Sequence, residues 1–484
     1  MREKLSTLPI TELKELAKSQ GLSVAGKKKE EIVDILCELN ESTQKRTHQI
    51  ETQVARQSQS ASYHIKNHSS AISAYTPGGG YQPKEPTHRV TGLHPEHPEW
   101  LTDDTRAQRG DDVYGILEIV PDTGFGFLRN ENYLPSPNDV YVSPIGIKRY
   151  GLKTGDVIDG YSKVKVDKEK FAALLGINTV NGFSPEEIQK RVPFDKLTPI
   201  YPTEKLKLLE ENENDKMVVR AIDFFSPVGR GQRGLLVCRP KSGRYSMLKD
   251  LAAAILKNND LHLMLLLIDA RPEDVSDMKS ELAGAHVEII YSTFDEEPDR
   301  HKRVTEMVVE RAKRLAEQKQ DVVILLDDLT RLTRAYNLIE PTSGRTFAGG
   351  LDAAAFHMPK KIFGSARNLE EGGSITMLAT CLVETGSKMD DAIYEEFEGT
   401  GNMEFVINKR IIDGPYFPNI DLLRTGTRRS ELLNTPKEKA CVDMIKRLAE
   451  KDEEIYDKVS DTFEQTKNNE EFIQKFEALI KKDW

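Results

Sequence analysis

Residues 238–246 read Cys-Arg-Pro-Lys-Ser-Gly-Arg-Tyr-Ser. A short apolar run, Gly234-Leu-Leu-Val237, leads into them, and helix-compatible sequence from Ser246 to Leu256 follows. That order suits a loop whose backbone amides cradle a phosphate at a helix N-terminus. Loops of this type that support hydrolysis end in Gly-Lys-Ser/Thr, where the lysine reaches the β- and γ-phosphates and the hydroxyl holds Mg²⁺. Here the ending is Gly243-Arg244-Tyr245. Lys241, Ser242 and Gly243 keep the anion cradle. Arg244 keeps a charge but is longer, planar and forked, so it cannot act as a compact point charge. Tyr245 puts a phenol where a metal-binding hydroxyl belongs. Ser246 would supply that hydroxyl only after a one-residue shift, which turns a helix by about 100°.

Two further runs end in acids: Leu261–Asp269, and Asp321-Val-Val-Ile-Leu-Leu-Asp327. Apolar strands ending in carboxylates beside a glycine loop define a nucleotide-binding parallel sheet, here spanning residues 201–434 with an amphipathic helix at Arg303–Gln318. Asp327 is the acid that closes the second run. Asp328 follows it, and strand alternation would send Asp328 to the opposite face.

The elements around this site are set by a 484-residue chain, room for roughly three domains at about 150 residues each. The 68 basic and 78 acidic residues leave a net charge of −10, which says little about nucleic acid because binding needs only a local basic patch. The four cysteines (Cys37, Cys238, Cys381, Cys441) form no CxxC pair and fit a reducing compartment, with neither a disulfide framework nor a zinc site. The N-terminus has no apolar leader, and the run Leu261–Ile268 is too short to span a bilayer. A cytoplasmic protein without membrane contact is expected.

Residues 1–43 suit a small helical module, either a solvated helix pair or a nucleic-acid module with Lys27, Lys28 and Lys29 on phosphates. Residues 44–110 hold six of the ten histidines among Gln, Ser and Thr, have no apolar periodicity, and are expected to form a disordered linker. Residues 111–200 show short strands at Val113–Val120, Asp139–Ser143 and Gly155–Gly160, separated by turn residues, as in a small barrel. Alternation puts Phe125 and Phe127 on one face, with Arg129 beside them and Gly126 leaving room for a base. Two exposed rings and a cation would stack and hold single-stranded nucleic acid; the other reading buries both rings in the barrel core. Residues 435–484 are charged and helical, with Leu448, Ile455, Phe463, Phe472, Phe476 and Ile480 as the buried side chains.

Several blocks carry a resemblance: Gly124-Phe-Gly-Phe-Leu-Arg129, Ser226-Pro-Val-Gly-Arg-Gly-Gln-Arg-Gly234, Arg331-Leu-Thr-Arg-Ala-Tyr-Asn337, Ala366–Ser374, Thr385-Gly-Ser-Lys-Met-Asp390 and Glu395–Met403. Together they resemble the transcription termination factor Rho family, ring-shaped RNA-dependent ATPases and helicases of bacteria. The resemblance implies a multidomain fold: a helical N-terminal module, an OB-fold barrel of the cold-shock type, and a RecA-like α/β domain with a parallel sheet. It implies a homohexamer, or co-assembly with another Rho, that binds single-stranded RNA and acts on RNA polymerase indirectly.

By the same resemblance, RNA would lie on Gly124, Phe125, Gly126, Phe127, Leu128 and Arg129, on Asp139, Val140 and Tyr141, and on Glu169, Lys170 and Phe171. Inside the ring, Thr342–Gly350 would form one central loop and Gly386-Ser387-Lys388 the other, with Lys388 on phosphate. ATP would be bound by Gly229, Arg230, Gly231, Gln232, Arg233 and Gly234, by Lys241 to Ser246, and by Arg271, with Asp327 as the catalytic carboxylate that organises Mg²⁺ and Arg428 as an arginine finger from the neighbouring subunit. The chain departs from the family at six places: Arg244, Tyr245, Pro415, Ala270 where a glutamate would activate water, Phe171 where tyrosine is usual, and Asp328 where serine is usual. The family pattern implies RNA-dependent ATP hydrolysis and translocation. The departures imply an RNA-binding relative that hydrolyses ATP poorly or not at all.

Overall fold

The computed structural model describes residues 109–164, 170–209, 216–282, 287–408 and 420–483. The expected helical module at 1–43 and nearly all of the expected linker lie outside the described residues, as do Glu169 and Pro415.

Five strands close a barrel: β1 (Arg109–Ile119), β2 (Gly126–Arg129), β3 (Val140–Val142), β4 (Val157–Lys163) and β5 (Ala172–Val180), in the order β1-β2-β3-β5-β4. Helix α1 (Pro144–Tyr150) and the short α2 (Pro185–Ile188) accompany them. Alternate side chains fill the interior, with Leu117, Leu128, Val140, Val142, Ile158 and Val180 packed together. The barrel begins two residues earlier than the expected linker boundary. Arg109 pairs with Asp112 at 2.9 Å and lies 4.6 Å over the Tyr161 ring, which continues β1 backwards.

The remainder is a mainly parallel sheet covered on both faces. Its strands are β6 (Pro199–Ile200), β7 (Arg233–Cys238), β8 (His262–Ala270), β9 (Val287–Thr293), β10 (Asp321–Asp327), β11 (Arg367–Leu369), β12 (Ser374–Leu382), β13 (Met403–Val406) and β14 (Gly426–Thr427). The order is β14-β13-β7-β12-β10-β8-β9, with β6 and β11 pairing beyond β12. Strands buried on both faces need unbroken apolar runs, which is why β8 and β10 read as they do. Leu263, Leu265, Leu267, Val323 and Leu325 pack on one side; Met264, Leu266, Ile268, Ile324 and Leu326 pack on the other. The helices between strands are α3 (Met217–Phe225), α4 (Arg244–Asn258), α5 (Pro272–Glu281), α6 (Pro298–Ala316), α7 (Leu329–Ile339), α8 (His357–Phe363) and α9 (Lys388–Glu398).

Helix α6 carries the barrel. Gly155, at φ +91°, has no room for a Cβ, which would lie 2.5 Å from the Glu310 backbone. Arg303 Nε donates to Glu118 at 2.8 Å and Arg311 Nη1 to Asn181 at 2.6 Å. Asn132 extends the free edge of the sheet: its amide donates to the Tyr291 carbonyl at 2.7 Å and accepts from the Tyr291 N–H at 2.9 Å.

Three C-terminal helices, α10 (Pro436–Ala449), α11 (Glu454–Glu464) and α12 (Asn469–Asp483), pack into the same core as α3 and α4. Ile455, Phe463, Phe472, Phe476 and Ile480 are buried as expected, and Leu448 is half-buried against them. Arg220 of α3 is buried beneath these helices. It donates to the carbonyls of Phe463, Thr466 and Asn468 at 3.0, 2.6 and 2.7 Å, and its plane lies 4.0 Å over the Phe463 ring. Replacing Arg220 with Met would leave those carbonyls unsatisfied. A loss of about 3 kcal/mol or more of unfolding free energy is expected in urea titrations, since each buried orphan costs about 1–3 kcal/mol. A change within measurement error would show that water satisfies those carbonyls.

Candidate nucleotide site and RNA interface

The carboxyl ends of β7, β12, β10 and β8 converge, and ligands of open α/β sheets bind at such ends. From β7 the chain enters residues 239–243, with Lys241 at φ +63° and Gly243 at φ +86° as the N-cap of α4. Cys238 precedes the loop, its thiol pushed up to about 12 by burial and so kept neutral.

Arg244 begins α4 and turns inward. Its Nε lies 2.9 Å from Asp327 Oδ1, and its Nη1 donates to Asp328 Oδ2 at 2.6 Å. Thr380 Oγ donates to Asp327 Oδ1 at 2.6 Å. Arg331 Nε sits 3.2 Å from Asp328 Oδ2, and the Arg331 N–H donates to Asp328 Oδ1 at 2.7 Å. The carboxylate pair is therefore gripped by two guanidinium groups. Burial, reinforced by the negative charge of Asp327, lifts the Asp328 carboxyl above its ordinary range, while Arg244 and Arg331 pull it back. Burial works against the charge on Arg244, but Asp327 and Asp328 outweigh it and hold the guanidinium above its ordinary value. Arg244 is charged.

Two expectations are corrected here. Asp328 does not face away from Asp327, because β10 ends at Asp327 and Asp328 is the N-cap of α7 rather than another strand residue. Tyr245 does not crowd the metal position: its phenol donates to the Asp274 carbonyl and lies 3.2 Å from Asp277 Oδ2 on α5, away from the loop mouth. Ala270 closes β8, buried and with no polar atom in its side chain, and Arg271 follows it, exposed, as the N-cap of α5.

Gly229 to Gly234 do not join the loop within one chain. They lie at the opposite end of β7, about 17 Å away at about 3.3 Å per residue. Arg230 pairs there with Asp321 and with Glu204, Gln232 donates to Asn402 Oδ1 at 2.6 Å, and Arg233 Nε donates to the Thr400 carbonyl at 2.6 Å. Gly231, at φ +86°, leaves no space for a Cβ against the Asn368 backbone. Arg428 stands at this same end, exposed, its N–H donating to the Asn402 carbonyl at 2.8 Å. Burial, together with Arg367 and Arg428 nearby, lowers the Arg233 pKa, the mark of a cationic face.

On the barrel, four rings share one face. Phe125 and Phe127 have centroids 5.8 Å apart, Tyr141 lies 5.6 and 6.0 Å from them, and Phe171 lies 5.1 Å from Phe127. None of the four is buried, so the core reading of Phe125 and Phe127 fails. Lys170 Nζ sits 5.3 Å from the Phe171 ring centre. Other members of the expected RNA set point elsewhere. Leu128 and Val140 are barrel core, as strand alternation next to Phe127 and Tyr141 requires. Gly126 opens no path for a base: a Cβ there would lie 2.8 Å from the Glu118 carbonyl and the Leu117 side chain, so glycine lets β1 approach β2. Arg129 is buried, with Nε on Glu118 Oε2 at 2.6 Å and Nη1 on Asp139. It lies 4.9 Å over the Phe127 ring and braces the face from behind rather than offering a free charge to a phosphate. Asp139 is buried and accepts from Ser136 N–H at 2.9 Å. Gly124 takes φ +73° in the turn before β2.

The two expected central loops touch. A Cβ on Gly349 would lie 2.6 Å from the Met389 nitrogen. Lys388 is exposed at the start of α9, while Asp390 is held by Arg334 at 2.6 Å and by Thr385 Oγ at 2.6 Å. Sequence reasoning missed Glu118, which pairs with both Arg129 and Arg303 and so joins the aromatic face to α6. Its place on β1, opposite Phe127, was the available signal.

A barrel with a clustered aromatic face, fused to a parallel sheet with a phosphate-type loop and paired carboxylates, defines an RNA-binding protein of the RecA-like nucleotide-binding class. Residues 113–186 match the family described as Rho termination factor, RNA-binding domain, and residues 218–426 match the ATP synthase alpha/beta family, nucleotide-binding domain. The chain is 48% identical over 373 residues to transcription termination factor Rho of Aquifex aeolicus, spanning 76% of this chain and 85% of that one. It is 45% identical over 371 residues to the Bacillus subtilis Rho, covering 76% and 85%. Among solved structures, an ATPase from the type III secretion system of pathogenic bacteria shares the fold, with TM-score 0.50 at 18% identity over 66% of this chain and 94% of that one. The chain belongs to the transcription termination factor Rho family. Among the described residues, no helix is long and apolar enough to cross a membrane.

Proposed function

We propose that this chain is a Rho-type termination factor that grips single-stranded RNA on its barrel but does not drive its own translocation by ATP hydrolysis. It regulates termination by occupying RNA or by joining a ring with an intact Rho. The observation that carries this reading is the engagement of both Asp327 and Asp328 by Arg244. The hydrolytic site needs the Asp327 carboxylate for a metal ion, and the residues present do not fit one: the Tyr245 hydroxyl is turned to α5, and Ala270 has no group to activate water. The placement of Arg428 supports ring assembly. It stands at the far end of β7 from the loop, so it can meet a bound phosphate only on a neighbouring subunit. In the same reading, Lys388 and Arg345, both exposed on the touching loops, face RNA in the ring centre.

Transcript release from stalled elongation complexes tests the proposal. The chain alone is expected to release nothing with ATP present, and mixing it with an intact Rho is expected to change the release that the intact protein gives. ATP-dependent release by the chain alone would overturn the reading.

A further inference from the structure

Two adjacent, buried carboxylates demand a counter-charge, because each raises the cost of ionising the other. In this chain the demand is met internally. The Arg244 fork spans Asp327 and Asp328, Arg331 adds a second cation on Asp328, and Thr380 occupies the same Asp327 oxygen as Arg244. A magnesium ion needs oxygen ligands in near-octahedral geometry at about 2.0–2.1 Å, with free carboxylate lone pairs. Oδ2 of Asp328 already accepts from guanidinium, Oδ1 of Asp327 is ion-paired with Arg244 and accepts from Thr380, and the side chain that would add a hydroxyl, Tyr245, is bonded to α5 instead. The site does not fit the metal its family uses. It does fit a cation that is part of the chain.

We infer that Arg244 takes the place of the divalent cation, so that the loop holds a nucleoside di- or triphosphate free of metal. The cradle itself is intact: Gly243 takes its left-handed conformation at the start of α4, a fifteen-residue helix whose N-terminal amides face the loop. Arg244 leaves Nη2 with no acceptor among the described residues, and a guanidinium that bridges carboxylates on one edge can donate to a phosphate oxygen on another. In lysine-bearing loops the compact ammonium covers phosphate while a separate metal ion covers the carboxylate; one forked side chain here serves both. This inference rests on the nucleotide-site assignment made above.

The test is equilibrium binding of fluorescently labelled ADP to the full chain, in excess magnesium and again in excess EDTA. The wild-type dissociation constant is expected to agree within about twofold between the two conditions, since no metal contributes. The Arg244→Lys, Tyr245→Thr double variant removes the guanidinium fork from the carboxylates and supplies a hydroxyl. It is expected to become magnesium-dependent, binding about tenfold or more tightly with the metal than without. A wild type that binds about tenfold tighter with magnesium would overturn the inference. So would a wild type that binds no ADP while the double variant binds magnesium-ADP, a result that leaves the nucleotide site standing. Absence of binding in both proteins would overturn the nucleotide-site assignment as well.

Discussion

Replacing Phe125 and Phe127 together with alanine is expected to weaken binding of single-stranded pyrimidine-rich RNA by about 10²-fold or more. Stacking of a base on an aromatic ring is worth about 1–3 kcal/mol, and this change removes the two rings that contact Tyr141, one of which also contacts Phe171. Both rings are only half-buried, so the barrel interior built on Leu117, Leu128 and Val142 stays filled and the variant should fold. Phe127→Tyr keeps a stacking face and should bind within a few fold of wild type. Fluorescence anisotropy with a labelled oligonucleotide reads the difference. Equal affinity for wild type and the double alanine variant would show that RNA lies elsewhere.

The second large effect runs in the opposite direction. Restoring lysine, hydroxyl and glutamate through Arg244→Lys, Tyr245→Thr and Ala270→Glu should raise RNA-stimulated phosphate release by about 10³-fold or more over wild type. Preorganised groups of this kind each contribute about 2.7–4 kcal/mol to lowering a barrier, and they act as a unit rather than additively. Arg244→Lys alone should therefore gain little, because nothing would hold the metal hydroxyl or the attacking water. The lysine should be tolerated: Asp327 keeps Thr380, Asp328 keeps Arg331, and the new ammonium stays near both. Phosphate release from the triple variant no faster than from wild type would mean that more than these three positions was lost.

Most of this was legible in the sequence where the chemistry is local. Runs such as Asp321–Asp327 announce buried parallel strands by composition alone, and the strand boundaries there agree with the structure to the residue. The phosphate-type loop and its missing side chains could be read from nine consecutive letters. Contacts assembled from distant segments could not. The Arg244 ion pairs join the start of α4, the end of β10 and the cap of α7, and no spacing rule connects these. Asp328 was misread by extending strand alternation one residue too far, although an aspartate ahead of Leu-Thr-Arg is also a helix N-cap signal. Gly126 and Leu128 were misread in the opposite way. The alternation that exposes Phe125 and Phe127 itself assigns their neighbours to the interior, and the family block obscured it. Arg129 shared the right face, but only the fold brings Glu118 and Asp139 to bury its charge.

A chain with an open aromatic barrel face and with Arg244 paired to both Asp327 and Asp328 should separate RNA binding from turnover. Phosphate release by the purified wild-type chain, measured with ATP and magnesium in the presence of saturating single-stranded RNA whose binding is monitored in the same sample, tests that separation most directly. RNA should be bound while phosphate appears no faster than without RNA. RNA-stimulated release at about 1 s⁻¹ or above, the range of ordinary enzymes, would contradict it.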